Sequence, residues 1–324
     1  MPEMIPTAQR LQHFGDSVIG EMSGLAVEHG AINLSSGYPD FDPPTAILQA
    51  AHEALQSGAH QYGPSAGLQR LRQAIAAKYN HFTGLEIDAQ QHVTVTCGGT
   101  EAMLASMLAC CDPGDRVAVV SPFYENYAVD AMLAGAQPVY ISLRPPDFHI
   151  DRDELRHCLQ QGVKALVFCN PSNPTGKVFS PDELQMIADL ACEYNVVVIV
   201  DEVYEHIIFP PYRHTYIAKL AGMSERTITC GSLSKTFSIT GWRLGYVIAP
   251  AEVSSGVQKI HEYSTTRFLN LPQPGMISKS SEWVGRNEKI VLQEISGLSQ
   301  IMSWGMYLVL MPLISLIAMR FSGP

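Results

Sequence analysis

The chain has 324 residues, of which 46% are hydrophobic and 16% charged, which excludes a disordered segment and predicts a large packed domain with a smaller attachment. A formal net charge of −10 argues against a nucleic-acid partner, because phosphate backbones are bound by clustered Lys and Arg. The seven cysteines are scattered without a CxxC pair. This pattern predicts free thiols in the reducing cytoplasm, and no metal site is predicted.

Short apolar runs alternate with segments of helical periodicity from about residue 44 to residue 250. The helical segments include 101–111, 124–133 and 181–194, and Ser180, followed by a proline and two acids, predicts the start of the last one. The predicted strands are 92–96, 116–121, 138–143, 165–170, 196–201, 227–232 and 244–249. Alternating strands and helices indicate an α/β fold with a mostly parallel sheet, whose ligands bind at the carboxyl ends of the strands.

A lysine follows one of these strands, in the segment Ser-Leu-Ser-Lys-Thr-Phe-Ser-Ile-Thr-Gly-Trp-Arg of residues 232–243. A partly desolvated amine at that edge is a nucleophile that can condense with a carbonyl, which makes Lys235 a candidate catalytic residue. Ser232 and Arg243 flank it with a hydroxyl and a guanidinium, a pairing suited to a phosphate dianion.

Two further strand ends carry polar side chains. Asp201 follows the most apolar strand, where a carboxylate would keep a pyridine nitrogen protonated, although a helix or turn cap is the alternative. Asn173, in the turn-forming segment Asn-Pro-Ser-Asn-Pro-Thr-Gly of residues 170–176, offers an amide to a phenolic oxygen, and an ordinary turn is its alternative.

The next strand-to-helix junction offers an anion site and an aromatic ring. Gly99 and Thr100 lie between a strand and a helix, where free N–H groups can bind a phosphate. Tyr124 opens the following helix, where its ring either stacks on a flat cofactor or packs in the core.

Together these residues resemble the class I/II aminotransferases, which are pyridoxal 5'-phosphate (PLP) enzymes of fold type I, over roughly residues 25–270. The resemblance implies a three-layer α/β/α large domain around a mostly parallel seven-stranded sheet, with an incomplete small domain. It divides the chain into an N-terminal arm and small-domain segment at 1–43, a PLP-binding domain at 44–265 and a partial C-terminal small domain at 266–324.

The same resemblance implies a role for each candidate residue. Lys235 would form the internal aldimine and shuttle a proton to the cofactor, Asp201 would pair with the pyridine nitrogen, and Tyr204 and Asn173 would bond the ring oxygen. The remaining implied contacts are Gly99, Thr100, Ser232 and Arg243 to the phosphate, Tyr124 to the ring, Tyr62 to the phosphate of the other subunit of a homodimer, and Gly37 to the substrate carboxylate. The amino-acid sequence of several stretches is most similar to that of the family branch that acts on methionine, glutamine and kynurenine.

The C-terminal segment departs from the family. Residues 303–310 resemble a small-domain strand, but the resemblance stops after Met311, which predicts a frameshift, an alternative product or a truncation. Arg320 is interpreted as an exposed charge in preference to a substitute for the family's carboxylate-binding arginine. The uncharged run 301–319 is long enough to span a bilayer, but Pro312 interrupts it, so membrane insertion is not favoured.

The predicted function is therefore PLP-dependent transamination between an amino acid and a 2-oxo acid by a ping-pong cycle. Three alternatives stay open at this point. The same site can support β-elimination on cysteine conjugates, the chain can be a catalytically impaired truncated paralogue that lacks the carboxylate-binding arginine, or the tail can tether it to a membrane.

Overall fold

A computed structural model describes residues 7–57 and 62–265 of the chain. The predictions made for residues 266–324, including the partial small domain, the departing tail and Arg320, lie outside the described residues. In the portion that is described, none of the helices has the length and apolar character needed to cross a bilayer.

An eight-stranded sheet forms the centre of the described chain, in the order β1-β8-β7-β6-β5-β2-β3-β4. Its strands are β1 (Val93–Cys97), β2 (Arg116–Ser121), β3 (Gln137–Arg144), β4 (His149–Ile150), β5 (Val163–Cys169), β6 (Val197–Asp201), β7 (Thr227–Ser232) and β8 (Leu244–Ile248). The β2–β3, β2–β5, β5–β6 and β6–β7 pairs are parallel, and β1–β8, β7–β8 and β3–β4 are antiparallel. The predicted fold class is confirmed. The prediction of seven strands was one too few for the described chain, because β4 is an edge strand of two residues and is too short to leave a periodic pattern in the sequence.

Helices cover both faces of this sheet. They are α1 (Val18–Glu28), α2 (Thr45–Gln56), α3 (Gln69–Thr83), α4 (Ala89–His92), α5 (Gly98–Cys110), α6 (Asn126–Leu133), α7 (Arg152–Gln160), α8 (Pro181–Glu193) and α9 (Ala251–Ser264), with 3₁₀ turns at Gln9–His13, Ile217–Lys219 and Thr240–Trp242. The predicted start of α8 is confirmed, since Ser180 and Glu183 form a reciprocal capping box.

The central strand β6 is buried on both faces because its side chains alternate between two helical layers. Val198 and Val200 pack in a core with α7 and α8, whereas Ile199 packs in a second core with α5, α6 and α9. A third core covers β1 and β8 with residues of α2 and α3. This explains why the sequence of β6 is continuously apolar rather than alternating.

One edge of the sheet gathers the ends of several strands. The parallel strands β6 and β7 end there at Asp201 and Ser232, and β8 runs antiparallel to β7, so that Arg243 enters β8 at the same edge. β1 also ends there, and α5 begins directly after it at Gly98. The residues predicted to carry the chemistry are therefore brought to one crevice by the topology.

Gly245 of β8 lies against the start of α5. A Cβ atom at Gly245 would lie 2.2 Å from the carbonyl carbon of Gly98 and 2.6 Å from the nitrogen of Gly99. These neighbours are backbone atoms, which cannot move aside as a flexible side chain can.

We expect Gly245→Ala to lower the free energy of unfolding by about 1–3 kcal/mol, the usual cost of overpacking, measured by urea denaturation. Gly24→Ala is the matched control, because nothing lies within 4 Å of a Cβ atom at Gly24 and alanine is the better helix former in α1. Equal stability of the two variants would show that β8 and α5 are not packed this tightly.

Candidate active site

Asp201 is a buried carboxylate at the end of β6, with a side chain that is 6% exposed. Its Oδ2 accepts a hydrogen bond from the hydroxyl of Tyr127 at 2.7 Å, and its Oδ1 accepts one from the backbone N–H of Val203 at 3.1 Å. Burial raises the pKa of Asp201, while these two bonds and the nearby Lys235 oppose the rise. The carboxyl group is thus held in one orientation and supplied with partners that favour its ionised form.

Lys235 lies in the turn after β7, on the same side of the sheet as Asp201. Burial lowers the pKa of its ammonium group, Arg243 acts in the same direction, and Asp201 opposes both. The Nζ atom donates to the carbonyl of Gly37 in the N-terminal arm at 2.6 Å. An amine whose pKa is lowered in this way is closer to the neutral form that a nucleophile or base requires.

Tyr204 lies between Lys235 and the arm. Its ring centroid is 5.7 Å from the Nζ atom of Lys235, and its hydroxyl is 3.3 Å from where a Cβ atom at Gly37 would be. Burial raises the pKa of the Tyr204 phenol, so the hydroxyl is protonated and able to donate. Lys235, Tyr204 and Gly37 therefore meet at one point, although 198 positions separate Gly37 from Lys235.

The turn that carries Tyr204 is anchored by its neighbour Glu205. The buried Glu205 carboxylate accepts hydrogen bonds from Lys78 of α3, from Tyr216, and from Tyr246 of β8. Lys78 is the chief of the partners that hold the pKa of Glu205 well below its usual range against the effect of burial. This ion pair ties the turn after β6 to α3, next to Tyr204.

A guanidinium group and free backbone N–H groups meet where α5 begins. The Arg243 guanidinium packs across Gly98, at which a Cβ atom would lie 2.4 Å from Nη2, so a residue without a side chain is required there. Gly98 also has a φ of +76°, which favours glycine. The first N–H groups of α5, at Gly99 and Thr100, and the guanidinium together form the kind of site that binds phosphate.

Tyr124 lies beside this site, with its phenol close to the side chain of Thr100. Burial raises the pKa of Tyr124, and Asp201 contributes to the rise, which places the phenol within electrostatic reach of that carboxylate. The Tyr124 ring packs edge-on against Tyr127 at a centroid distance of 5.8 Å. α6 begins at Asn126, two residues later than Tyr124, which was predicted to open it.

The two serines before Lys235 differ in how their hydroxyls are used. Ser232 donates its hydroxyl hydrogen to the carbonyl of Leu244 at 2.8 Å and accepts the N–H of Ser234 at 3.0 Å. In this arrangement the Ser232 hydroxyl has no hydrogen left to donate, and only a lone pair of its oxygen remains for a further partner. The buried hydroxyl of Ser234 has no hydrogen-bond partner among residues 7–57 and 62–265, which makes it an additional candidate donor.

The two remaining predicted site residues differ in their surroundings. Tyr62 is 74% exposed, at the start of the second described range. Asn173 is half-buried and lines a small cavity with Tyr127 and Cys169. Their predicted cofactor contacts stay predictions.

Two long-range contacts connect this cluster to the ends of the described chain. Glu125, next to Tyr124, accepts hydrogen bonds from the Ser17 hydroxyl and from the N–H of Val18, so it caps the N-terminus of α1. At the other end, Glu101 of α5 accepts hydrogen bonds from the Cys97 N–H and from the Thr265 hydroxyl and pairs with His261 of α9 at 2.8 Å.

The prediction from sequence missed three residues of the site. Tyr127 lies in an apolar helical segment and was indistinguishable there from a core residue, and Glu205 lies in a short polar turn that has no periodic pattern. Ser234 lies in the quoted lysine segment, but the sequence does not show which of two nearby hydroxyls is already bonded.

The assembled groups fit PLP. The crevice offers a buried carboxylate for a cationic ring nitrogen, an amine of lowered pKa for an aldehyde, and a guanidinium with helix N–H groups for a phosphate. The unpartnered hydroxyl of Ser234 is a further polar group that a ligand can satisfy.

The sequence profile described as "Aminotransferase class I and II" matches residues 29–279. The chain belongs to this family. Its enzymes use PLP, which agrees with the predicted cofactor.

Curated relatives carry different substrate names. The chain is 43% identical over 259 residues to a probable N-succinyldiaminopimelate aminotransferase of Mycobacterium tuberculosis, covering 79% of this chain and 65% of the relative. It is 36% identical over 262 residues to the methionine aminotransferase of Escherichia coli, covering 81% and 68%. With human kynurenine–oxoglutarate transaminase 1 it is 37% identical over 270 residues, covering 79% and 64%. The chain thus spans about two thirds of the length of these relatives.

Solved structures agree with the fold. The M. tuberculosis N-succinyldiaminopimelate aminotransferase matches with a TM-score of 0.87 at 37% identity, covering 93% of this chain and 79% of that one. The Thermus thermophilus aspartate aminotransferase with maleate matches with a TM-score of 0.86 at 29% identity, covering 94% and 81%. Family membership therefore fixes the architecture, while the printed substrates range over several amino acids.

Asp130 lies one turn after Tyr127 in α6 and is buried. Its Oδ2 has no hydrogen-bond partner in the described part of the chain, and burial raises its pKa to about 8. The folded protein therefore binds this proton more tightly than the unfolded chain does. Between about pH 4 and pH 8, unfolding releases the proton, so Asp130 makes the fold less stable as the pH rises.

We expect Asp130→Asn to remove this dependence and to raise the free energy of unfolding at pH 8 relative to pH 5, as measured by denaturant titration at both values. The exposed Asp153→Asn is the control and should leave the pH profile unchanged. A profile for Asp130→Asn that parallels the unsubstituted protein would mean that Asp130 is ionised and solvated in the fold.

Proposed function

We propose that this chain carries the PLP-dependent transamination site of an enzyme that transfers the amino group of an amino acid to a 2-oxo acid. The observation that supports the proposal most directly is the meeting of Lys235, Tyr204 and Asp201 at one strand edge, beside an arginine-lined anion site. Because the chain spans only about two thirds of its relatives, the activity, the substrates and the partners are proposals for the whole protein.

When bound, PLP supplies a protonated pyridine ring that accepts the electron pair left behind when an amino acid loses its α-proton. In this proposal Asp201 would pair with the ring nitrogen and favour its protonated form. Lys235 would hold the cofactor and, when its amine is free, would accept the substrate α-proton at Nζ. The lowered pKa of Lys235 suits that second role, since a base must be unprotonated to act.

The remaining residues would hold the cofactor in position. Arg243 and the N–H groups of Gly99 and Thr100 would hold the phosphate, Tyr124 would pack on the ring, and Tyr204 and Asn173 would bond the ring oxygen. The carbonyl of Gly37 accepts a hydrogen bond from Lys235 at 2.6 Å, so the arm lies directly beside the amine. A substrate that reacts at Lys235 would therefore have its carboxylate near the arm, as the resemblance implies.

We also propose that the protein works as a cytoplasmic homodimer. All seven cysteines are free, which suits a reducing compartment. The arm exposes Val27, Ile32 and Leu34 at 84%, 87% and 64% of their surface, a cluster of the kind that a second subunit covers. In that arrangement Tyr62 would reach the phosphate of the other subunit.

We expect purified protein incubated with PLP to develop a visible absorption band that borohydride converts into a stable adduct on the peptide containing Lys235, detected by mass spectrometry. Lys235→Ala should lose the adduct because, in the described part of the chain, Lys235 is the lysine whose amine acts on Asp201. The exposed Lys259→Ala of α9 is the control and should keep the adduct. An unchanged adduct in Lys235→Ala would refute the assignment.

The reaction class is tested by adding methionine, glutamine or kynurenine to the PLP-loaded protein and following the absorption band. Conversion to the amino form of the cofactor, with release of the matching 2-oxo acid, is expected for a transaminase. Release of pyruvate from a cysteine conjugate would instead indicate β-elimination, and a band unchanged by any amino acid would indicate an impaired paralogue.

A further inference from the structure

Tyr127 brings a hydroxyl to Asp201 from a different layer of the fold. It belongs to α6, its side chain is 1% exposed, and its Oη atom donates to Asp201 Oδ2 at 2.7 Å. The proposed reaction uses Asp201 but assigns nothing to Tyr127.

The two bonds received by Asp201 come from separate elements. The Tyr127 bond comes from α6 across the crevice, and the Val203 N–H bond comes from the turn after β6. Together they fix the plane of the carboxylate and still leave each oxygen a lone pair for a ring nitrogen. Within the described residues, Tyr127 is the one side chain that donates a hydrogen bond to Asp201.

The other titratable groups that face Asp201 do not replace this contact. They are Lys235 after β7, Tyr204 after β6, Cys169 of β5, Cys230 of β7 and Tyr124 before α6. Among them Lys235 is the only cation, and in the proposed function its nitrogen becomes part of the bond to the cofactor, where its charge depends on pH. The Tyr127 hydroxyl is then the side-chain donor that continues to stabilise the charge on Asp201 in a buried site.

We propose that Tyr127 is a positioning residue that keeps Asp201 ionised and aimed at the pyridine nitrogen. The inference rests on the proposed function, because it concerns the bound cofactor. It assigns a role in the chemistry to a residue that would otherwise be regarded as core packing.

The test compares Tyr127→Phe with Tyr79→Phe in the PLP-loaded protein. Tyr79 is an equally buried tyrosine whose hydroxyl bonds Thr229 at 2.9 Å, so both substitutions remove one bonded oxygen from the core. For Tyr127→Phe we expect the half-reaction with an amino acid to slow by about tenfold to a hundredfold, the range for losing a hydrogen bond to a buried charge. Tyr79→Phe should react at the unsubstituted rate, while both variants lower the melting temperature.

A second readout does not depend on turnover. The pH midpoint of the cofactor absorption change should rise in Tyr127→Phe. Without the Tyr127 bond, Asp201 keeps the ring nitrogen less protonated. The lysine nitrogen bonded to the cofactor then holds its own proton more tightly. The midpoint in Tyr79→Phe should not move. In an Asp201→Asn background, Tyr127→Phe should cause no additional shift, since the interaction that it removes is already lost.

Identical midpoints and rates in the two variants would overturn the inference and leave the proposed function standing. Absence of any Lys235-linked cofactor in the unsubstituted protein would overturn both. Should Tyr127→Phe fail to fold, 3-fluorotyrosine at position 127 keeps the ring in place and makes its hydroxyl a stronger acid. The stronger hydrogen bond to Asp201 should then move the midpoint in the opposite direction, to lower pH, and an unchanged midpoint counts against the inference.

Discussion

The arrangement of the site depends on one buried negative charge. Asp201 ends the buried central strand β6, and an ionised carboxylate there is costly unless hydrogen bonds and an opposite charge compensate it. Tyr127, the Val203 N–H group and Lys235 each reach it from a different segment. The requirement to stabilise this charge therefore draws α6, the turn after β6 and the turn after β7 to a common point.

The N-terminal arm is joined to that point by two polar contacts. Gly37 accepts a hydrogen bond from Lys235, and Glu125 caps α1 close to Tyr124. Residues 7–43, the described part of the arm, contribute no strand to the sheet, so strand pairing does not fix its place and these contacts help to do so. A polar attachment is also easier to release than an apolar one, because water can take over each hydrogen bond.

Much of the fold could be predicted because its signals are local. The apolar run of β6 and the capping residues of α8 each determine their element within a few positions, and the strand-end rule then places Asp201 and Lys235 on one edge. The partner of Asp201 could not be predicted, since periodicity tells that Tyr127 is buried but not which atom its hydroxyl meets. The same holds for Gly37, whose contact with Lys235 joins positions 198 residues apart.

The pairing of Glu101 with His261 connects α9 to the start of α5. α9 is the final helix of the described chain, and its last turn is tied through one carboxylate to the N–H of Cys97, immediately before the start of α5. Val257 of α9 also packs in the core with α5. A shift of α9 would therefore be transmitted to the first residues of α5, where the phosphate is proposed to bind.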